Sequence, residues 1–69
     1  MPYHEIYNLY ETYGPEDYFN HLRIDQKAVL DHILEGLHMV FPEFSRFSRT
    51  KQLQIAGLVV EAFLKGIQG

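Results

Sequence analysis

The sequence contains no cysteine, so the folded chain can hold neither a disulfide bond nor a metal ion bound by thiolates. Its longest apolar run, residues 55–60, ends at Glu61 and is far too short to cross a bilayer. Residues 1–16 contain no Lys or Arg, so the basic start of a secretory signal is missing. The five glycines are dispersed, which excludes a glycine-rich phosphate loop. These absences favour a small soluble protein of the reducing cytoplasm, with no membrane association.

The 69 residues are enough for one small domain, spanning 1–69. A chain of this size buries only about 60% of its unfolded surface on folding, so its stability is marginal. Hydrophobic residues make up 46% of the sequence, which is near the globular average and argues against disorder. We therefore expect a folded domain that is reinforced by a well-packed core, by a partner or by self-association.

Apolar residues recur at spacings of three and four in four segments, and no segment alternates as a strand would. This pattern predicts an all-α fold, a compact bundle of four helices with two short N-terminal and two long C-terminal members. The first helix should end at Gly14, and Pro15 should start a short second helix over residues 15–22. Gly36 and Gly57 lie at the edges of apolar arcs in the later helices, which predicts close helix–helix packing at both.

The third helix is predicted over residues 26–40. Asp25 is its expected N-cap, with Ile24 and Val29 forming a hydrophobic staple across the cap, and Pro42 disfavours helix just after its end. Its apolar arc is expected to face the core and comprises Val29, Leu30, Ile33, Leu34, Leu37, Val40 and Phe41.

The fourth helix should be capped by Ser48 or Thr50 and run to about Gly66. Apolar residues surround roughly two thirds of its circumference, which is typical of a helix that is either central or shared between two chains. We predict a homodimer in which this helix pairs with its copy through Leu53, Ile55, Leu58, Val59, Ala62 and Ile67. The alternative is a monomer in which the fourth helix is simply the central one.

Charge is unevenly distributed along the chain. Residues 1–45 hold eight acidic and two basic residues, whereas residues 46–69 hold four basic residues and one acidic residue, within a net charge of −3. The segment 44–51, here called the basic loop, places Arg46, Arg49 and Lys51 beside Phe47 at the start of the fourth helix, where unpaired N–H groups also favour anions.

The basic loop predicts a surface for an acidic partner protein or, as an alternative, for nucleic acid. Nucleic acid is the less favoured partner because the whole chain is acidic. The structural alternative is that the charges are solvated, or pair with acids of the first three helices, while the phenylalanines enter the core.

All five tyrosines lie in the first 18 residues, and Tyr3, Tyr7 and Tyr10 form one stripe of the first helix. Tyrosine combines an apolar ring with a polar hydroxyl and is enriched at protein interfaces. This tyrosine face is therefore predicted to contact a partner. The other interpretation is that it forms a lid over a small core, with its hydroxyls in water.

Support for catalysis is slight. Glu35 and His38 have the Glu-x-x-His spacing of carboxylate di-metal bundles, but the motif occurs once and lies opposite the apolar arc of its helix. A solvated polar face is favoured, and a metal-dependent enzyme built around these two residues is a remote alternative. We predict no enzyme, no cofactor and no metal. We interpret the chain as a small non-enzymatic protein-binding or regulatory module that acts through the tyrosine face and the basic loop and that self-associates.

Overall fold

The structure is a computed structural model that describes residues 2–68, with side chains described for residues 3–66. Its helices are α1 (Pro2–Tyr13), α2 (Ile24–Val40) and α3 (Arg49–Gln68), with 3₁₀ turns at Tyr18–His21 and Pro42–Arg46. No strand occurs in the described residues. The predicted all-α fold is therefore confirmed.

The predicted number of helices is wrong, because residues 2–68 form three α-helices rather than four. The segment expected to form the second helix holds only the 3₁₀ turn Tyr18–His21, and Leu22 after it is extended, with ψ at 143°. The side chain of Asp17 accepts a hydrogen bond from Asn20 Nδ2 and lies within hydrogen-bonding distance of His21 Nε2, each at 3.1 Å, instead of capping backbone N–H groups. Because nucleating a helix is unfavourable and a short helix gains few hydrogen bonds, a turn held by side-chain hydrogen bonds is more stable here.

The helix ends set by local sterics agree with the sequence. Gly14 has a φ of 83°, a left-handed conformation that suits glycine, and its N–H donates to the carbonyl of Tyr10 at 2.8 Å. The helix α2 ends immediately before Phe41 and Pro42, as expected. Ser48, rather than Thr50, caps α3: its Oγ accepts from the N–H of Lys51 at 3.2 Å.

The start of α2 differs from its prediction. The cap residue is Arg23 rather than Asp25, and the Arg23 N–H donates to Gln26 Oε1 at 2.9 Å. The Gln26 side chain is only 2% exposed, and its Nε2 also donates to Glu5 Oε2 on α1 at 2.6 Å. The expected staple is absent, because Ile24 is 88% exposed. A contact between α1 and α2 therefore sets where α2 begins.

The core lies around α3. Four of its residues at spacings of three and four, Leu53, Ala56, Val60 and Leu64, are buried. The other elements contribute the remaining buried apolar residues, Ile6, Tyr18, Leu22, Leu30, Leu34 and Phe44. Tyr18 also donates its hydroxyl to the carbonyl of Leu53 at 2.6 Å, which fixes the first 3₁₀ turn to α3. Much of the apolar surface of α3 is thus covered within one chain.

The two helical glycines behave differently. Gly57 on α3 is buried under the ring of Tyr10, where a Cβ atom would overlap the ring, so the predicted close packing is confirmed there. Gly36 is exposed, and no described atom lies within 4 Å of a Cβ placed on it. The prediction at Gly36 is wrong because its side of α2 faces outward.

Candidate protein-binding surface

The basic loop is held in place by local contacts. Phe44 enters the core, and its ring lies 6.1 Å from that of Phe47 in an edge-on arrangement. Gln52 Nε2 donates to the carbonyls of Phe44 and Phe47, both at 3.1 Å, and Ser45 Oγ donates to the carbonyl of Pro42 at 3.2 Å. The loop therefore presents its charged side chains from a fixed backbone.

The three basic side chains of the loop, Arg46, Arg49 and Lys51, are all exposed. Phe47 between them is 37% exposed. Among the described side chains, the ion pairs join Asp17 to His21, Glu5 and Asp25 to Arg23, and Glu61 to Lys65. None of these pairs uses a charge of the basic loop, so the alternative of internal pairing with the acidic helices finds no support in this part of the chain.

Two further residues extend the positive surface from the loop to α2. The guanidinium carbon of Arg49 lies 5.1 Å from the centre of the Phe19 ring, and Lys27 Nζ lies 5.5 Å from the same point. Both distances are in the range of cation–π contacts. Sequence reasoning missed Phe19 and Lys27 as members of this surface. No local spacing could have found them, because only the folded chain brings the first 3₁₀ turn, α2 and α3 together.

Large apolar side chains are exposed beside the loop, at the C-terminal end of α2. Met39 is 78% exposed, Val40 is 80% exposed and Phe41 is 48% exposed, and we call these three residues the apolar end. Val40 and Phe41 were expected to face the core, and this expectation is wrong. The apolar arc is buried at Leu30 and Leu34, but α2 continues past the part of the core that could cover its last turn.

The tyrosine face is turned toward α3. The ring of Tyr3 lies 4.7 Å from that of Phe63, and Tyr10 packs edge-on against buried Tyr18 at 5.1 Å. Tyr7 is half-buried, and burial, followed by the charges of Glu11 and Glu61, raises the pKa of its hydroxyl. The face therefore covers the core within this chain, and its predicted contact with a partner stays a prediction.

The surface predicted for self-association is smaller in the structure than in the sequence. Leu53 is a core residue, and the side chain of Ile67 lies outside the described side chains. The predicted residues that keep solvent-accessible area are Ile55, Leu58, Val59 and Ala62, of which Leu58 and Ala62 are exposed. We call these four residues the outer face of α3, and the predicted homodimer through them stays a prediction.

The predicted Glu-x-x-His pair does not join a larger cluster. His38 packs edge-on against Phe44, with ring centres 4.9 Å apart, and Glu35 is exposed. Within the described residues, no group of three or more His, Cys, Asp or Glu side chains could hold a metal ion.

A shallow cleft of about 410 Å³ lies between α1 and the start of α2. It is lined by Glu5, Asn8, Leu9, His21, Arg23 and Gln26. Glu5 Oε2 already accepts hydrogen bonds from Arg23 Nη2 at 3.0 Å and from Gln26 Nε2 at 2.6 Å. Sequence reasoning did not single out this cleft, whose polar groups tie the two helices together.

Comparisons with known proteins returned no match: no protein-family model, no curated protein and no solved structure resembles the chain at a significant level. Among the described helices, none combines the length and the apolar character that a membrane span requires. The surfaces described above are therefore the features from which a function can be inferred.

Proposed function

We propose that this chain is a non-enzymatic protein-binding module, and that its docking surface consists of the apolar end together with the basic loop. The observation that carries the proposal is the exposure of Met39, Val40, Phe41 and Phe47 in the same part of the chain as the loop bases, which form no ion pair with any described side chain. Exposed apolar patches bordered by polar residues mark interaction sites. Methionine, aromatic residues and arginine are also the residue types enriched at protein interfaces. A cytoplasmic location, favoured by the cysteine-free sequence, belongs to the same proposal.

The two halves of the docking surface have different roles. Burial of apolar side chains such as Met39 and Val40 supplies affinity, because each removes a large apolar area from water. The charges of Arg46, Arg49 and Lys51 attract an acidic partner and orient it during encounter. In a chain with a net charge of −3, this local positive field also repels partners that would dock in the wrong orientation.

The test compares two surface variants of α2. In Met39→Ser/Val40→Ser, the apolar end loses its two most exposed side chains, and Ile24→Ser is the matched control at the opposite end of the same helix. Both variants should fold normally, because Met39, Val40 and Ile24 are each at least 78% exposed. Each protein is used to capture partners from the native lysate, and the captured protein is then purified for titration calorimetry.

The expected result is a partner that binds the wild type and Ile24→Ser equally, and binds Met39→Ser/Val40→Ser at least about tenfold more weakly. A partner that binds all three proteins with the same affinity would refute docking at the apolar end.

The charged half of the surface has its own test. Charge reversal in Arg46→Glu/Lys51→Glu should weaken binding and lower its dependence on salt concentration. It should leave the melting temperature nearly unchanged, because exposed charges contribute little to stability. A large loss of stability with intact binding would mean that these charges are structural.

Nucleic acid is the alternative partner, since Arg46, Arg49 and Lys51 lie beside a partly exposed aromatic ring. Binding to random-sequence DNA should then fall steeply with salt and should not respond to Met39→Ser/Val40→Ser. That outcome would favour nucleic acid over a protein partner.

A further inference from the structure

We infer that Phe19, Lys27 and Arg49 form a recognition site for the carboxylates of an acidic peptide segment. The inference rests on the proposed function and deepens it by naming the chemistry of the partner. It also adds two residues, Phe19 and Lys27, that sequence reasoning did not connect with binding.

The geometry of the site comes from three different elements. Phe19 lies in the first 3₁₀ turn and Lys27 in α2, and Arg49 is the first residue of α3. Both cations lie within 5.5 Å of one ring centre, so their charges are no more than twice that distance apart. Alternate residues of an extended peptide point the same way and lie about 7 Å apart, which allows two carboxylates to reach both cations.

The electrostatics of the site favour an anion. None of the ion pairs among the described side chains involves Lys27 or Arg49, although the chain has three more acids than bases. Two like charges over one aromatic ring repel each other, and the ring displaces part of the water that would otherwise screen them. A bound carboxylate relieves this repulsion, and guanidinium can bind it through two parallel hydrogen bonds.

A peptide is favoured over a nucleic acid by what lies beside the site. Arg49 lies two residues after Phe47, which is 37% exposed. Such a surface suits a chain that carries apolar as well as acidic side chains. The net negative charge of the protein opposes a polyanion.

The experiment is a titration of the ¹⁵N-labelled full chain with blocked hexaglutamate, followed by heteronuclear NMR. Saturable shifts are expected at the amides of Phe19 and Lys27 and at the side-chain Nε–Hε group of Arg49. In Lys27→Gln/Arg49→Gln the affinity should fall by about fivefold or more, since two exposed ion pairs are lost. The matched control is Lys65→Gln on the distant part of α3, which should bind as the wild type does. Hexaglutamine should produce no shifts at the site.

Phe19→Leu separates the role of the ring from that of the charges. The variant keeps an apolar side chain against the core and retains both Lys27 and Arg49. It removes the aromatic face that positions these two cations. Hexaglutamate affinity should therefore fall, while the amide spectrum away from the site stays that of a folded protein.

Two results would overturn the inference. One is a hexaglutamate affinity that Lys27→Gln/Arg49→Gln leaves unchanged. The other is a single-stranded oligonucleotide that binds through Lys27 and Arg49 when hexaglutamate does not. Hexaglutamate has no apolar side chains, so its response should be insensitive to Met39→Ser/Val40→Ser. Failure of docking at the apolar end and failure of the carboxylate site therefore give separate signals.

Discussion

Replacing Gly57 by Ala tests the close contact between α1 and α3. A methyl group on Gly57 would overlap Cδ2 and Cε2 of the Tyr10 ring and would lie 3.1 Å from its Cγ. The ring has little freedom to move away, because Tyr18 packs against its edge at 5.1 Å and Tyr7 stacks on it at 6.3 Å. The substitution therefore forces either α1 or the ring out of its packed position.

The magnitude follows from two opposing terms. Forcing an extra carbon into a packed site costs about 1–3 kcal/mol. Ala in place of a helical Gly returns up to about 1 kcal/mol through helix propensity. We expect Gly57→Ala to lower the free energy of unfolding by up to about 2 kcal/mol net. For a domain of this size, each kcal/mol corresponds to about 4–8 °C in melting temperature.

The assay is urea unfolding followed by circular dichroism, with Gly36→Ala as the matched control. Gly36 is exposed in the middle of α2 with open space around it, so Ala there should raise stability by about 0.5–1 kcal/mol. Tyr10→Leu should lessen the cost of Gly57→Ala when the two are combined, because the smaller side chain leaves room for the methyl group. Equal stability of Gly57→Ala and Gly36→Ala would contradict the close packing of Gly57 against Tyr10.

Three further predictions concern Tyr18, Asp17 and the oligomeric state. Tyr18→Phe removes a buried hydrogen bond to Leu53 and should cost about 1–2 kcal/mol in urea unfolding; equal stability would contradict that role. Burial also raises the pKa of Tyr18, so its contribution is complete below about pH 10 and declines at higher pH, and Tyr18→Phe should flatten that alkaline decline. Hydrogen bonds from Asn20 and His21 lower the pKa of Asp17. Its contribution to stability is therefore present above about pH 4 and lost as the pH falls further, and Asp17→Asn should flatten the acid limb of the melting-temperature profile. Sedimentation equilibrium at tens of micromolar should show a dimer that forms through the outer face of α3, and a mass constant at 8.1 kDa would rule it out.

The sequence predicts helix ends well where local sterics decide them. Gly14 ends α1 because glycine adopts a positive φ without strain, and Pro42 prevents α2 from continuing. Ser48 caps α3 through its own side chain. Each of these signals acts within a few residues, so it can be recognised without knowledge of the fold.

The sequence predicts a helix start or a side-chain contact poorly where a residue distant in the chain determines it. Gln26, rather than Asp25, organises the start of α2 because its amide is bound to Glu5, 21 residues earlier. The contact of Arg49 with Phe19 spans 30 residues, and no periodicity encodes it. The basic loop was therefore predicted as part of the candidate site, whereas Phe19 and Lys27, which only the folded chain brings to Arg49, were not.

The positions of the aromatic and apolar residues explain why the proposed docking surface is placed at the end of α2 and the basic loop. The tyrosine rings of α1 spread over α3 and cover a length of it that the short first 3₁₀ turn could not cover alone. The surplus of apolar surface expected for so small a chain is therefore divided between the outer face of α3 and the end of α2. Part of it lies at the apolar end of α2, in the segment just before the bases of the basic loop, which have no acid partner among the described side chains. An exposed apolar cluster costs solubility, and unpaired like charges cost electrostatic energy. A partner that carries both apolar and acidic side chains relieves both costs at once.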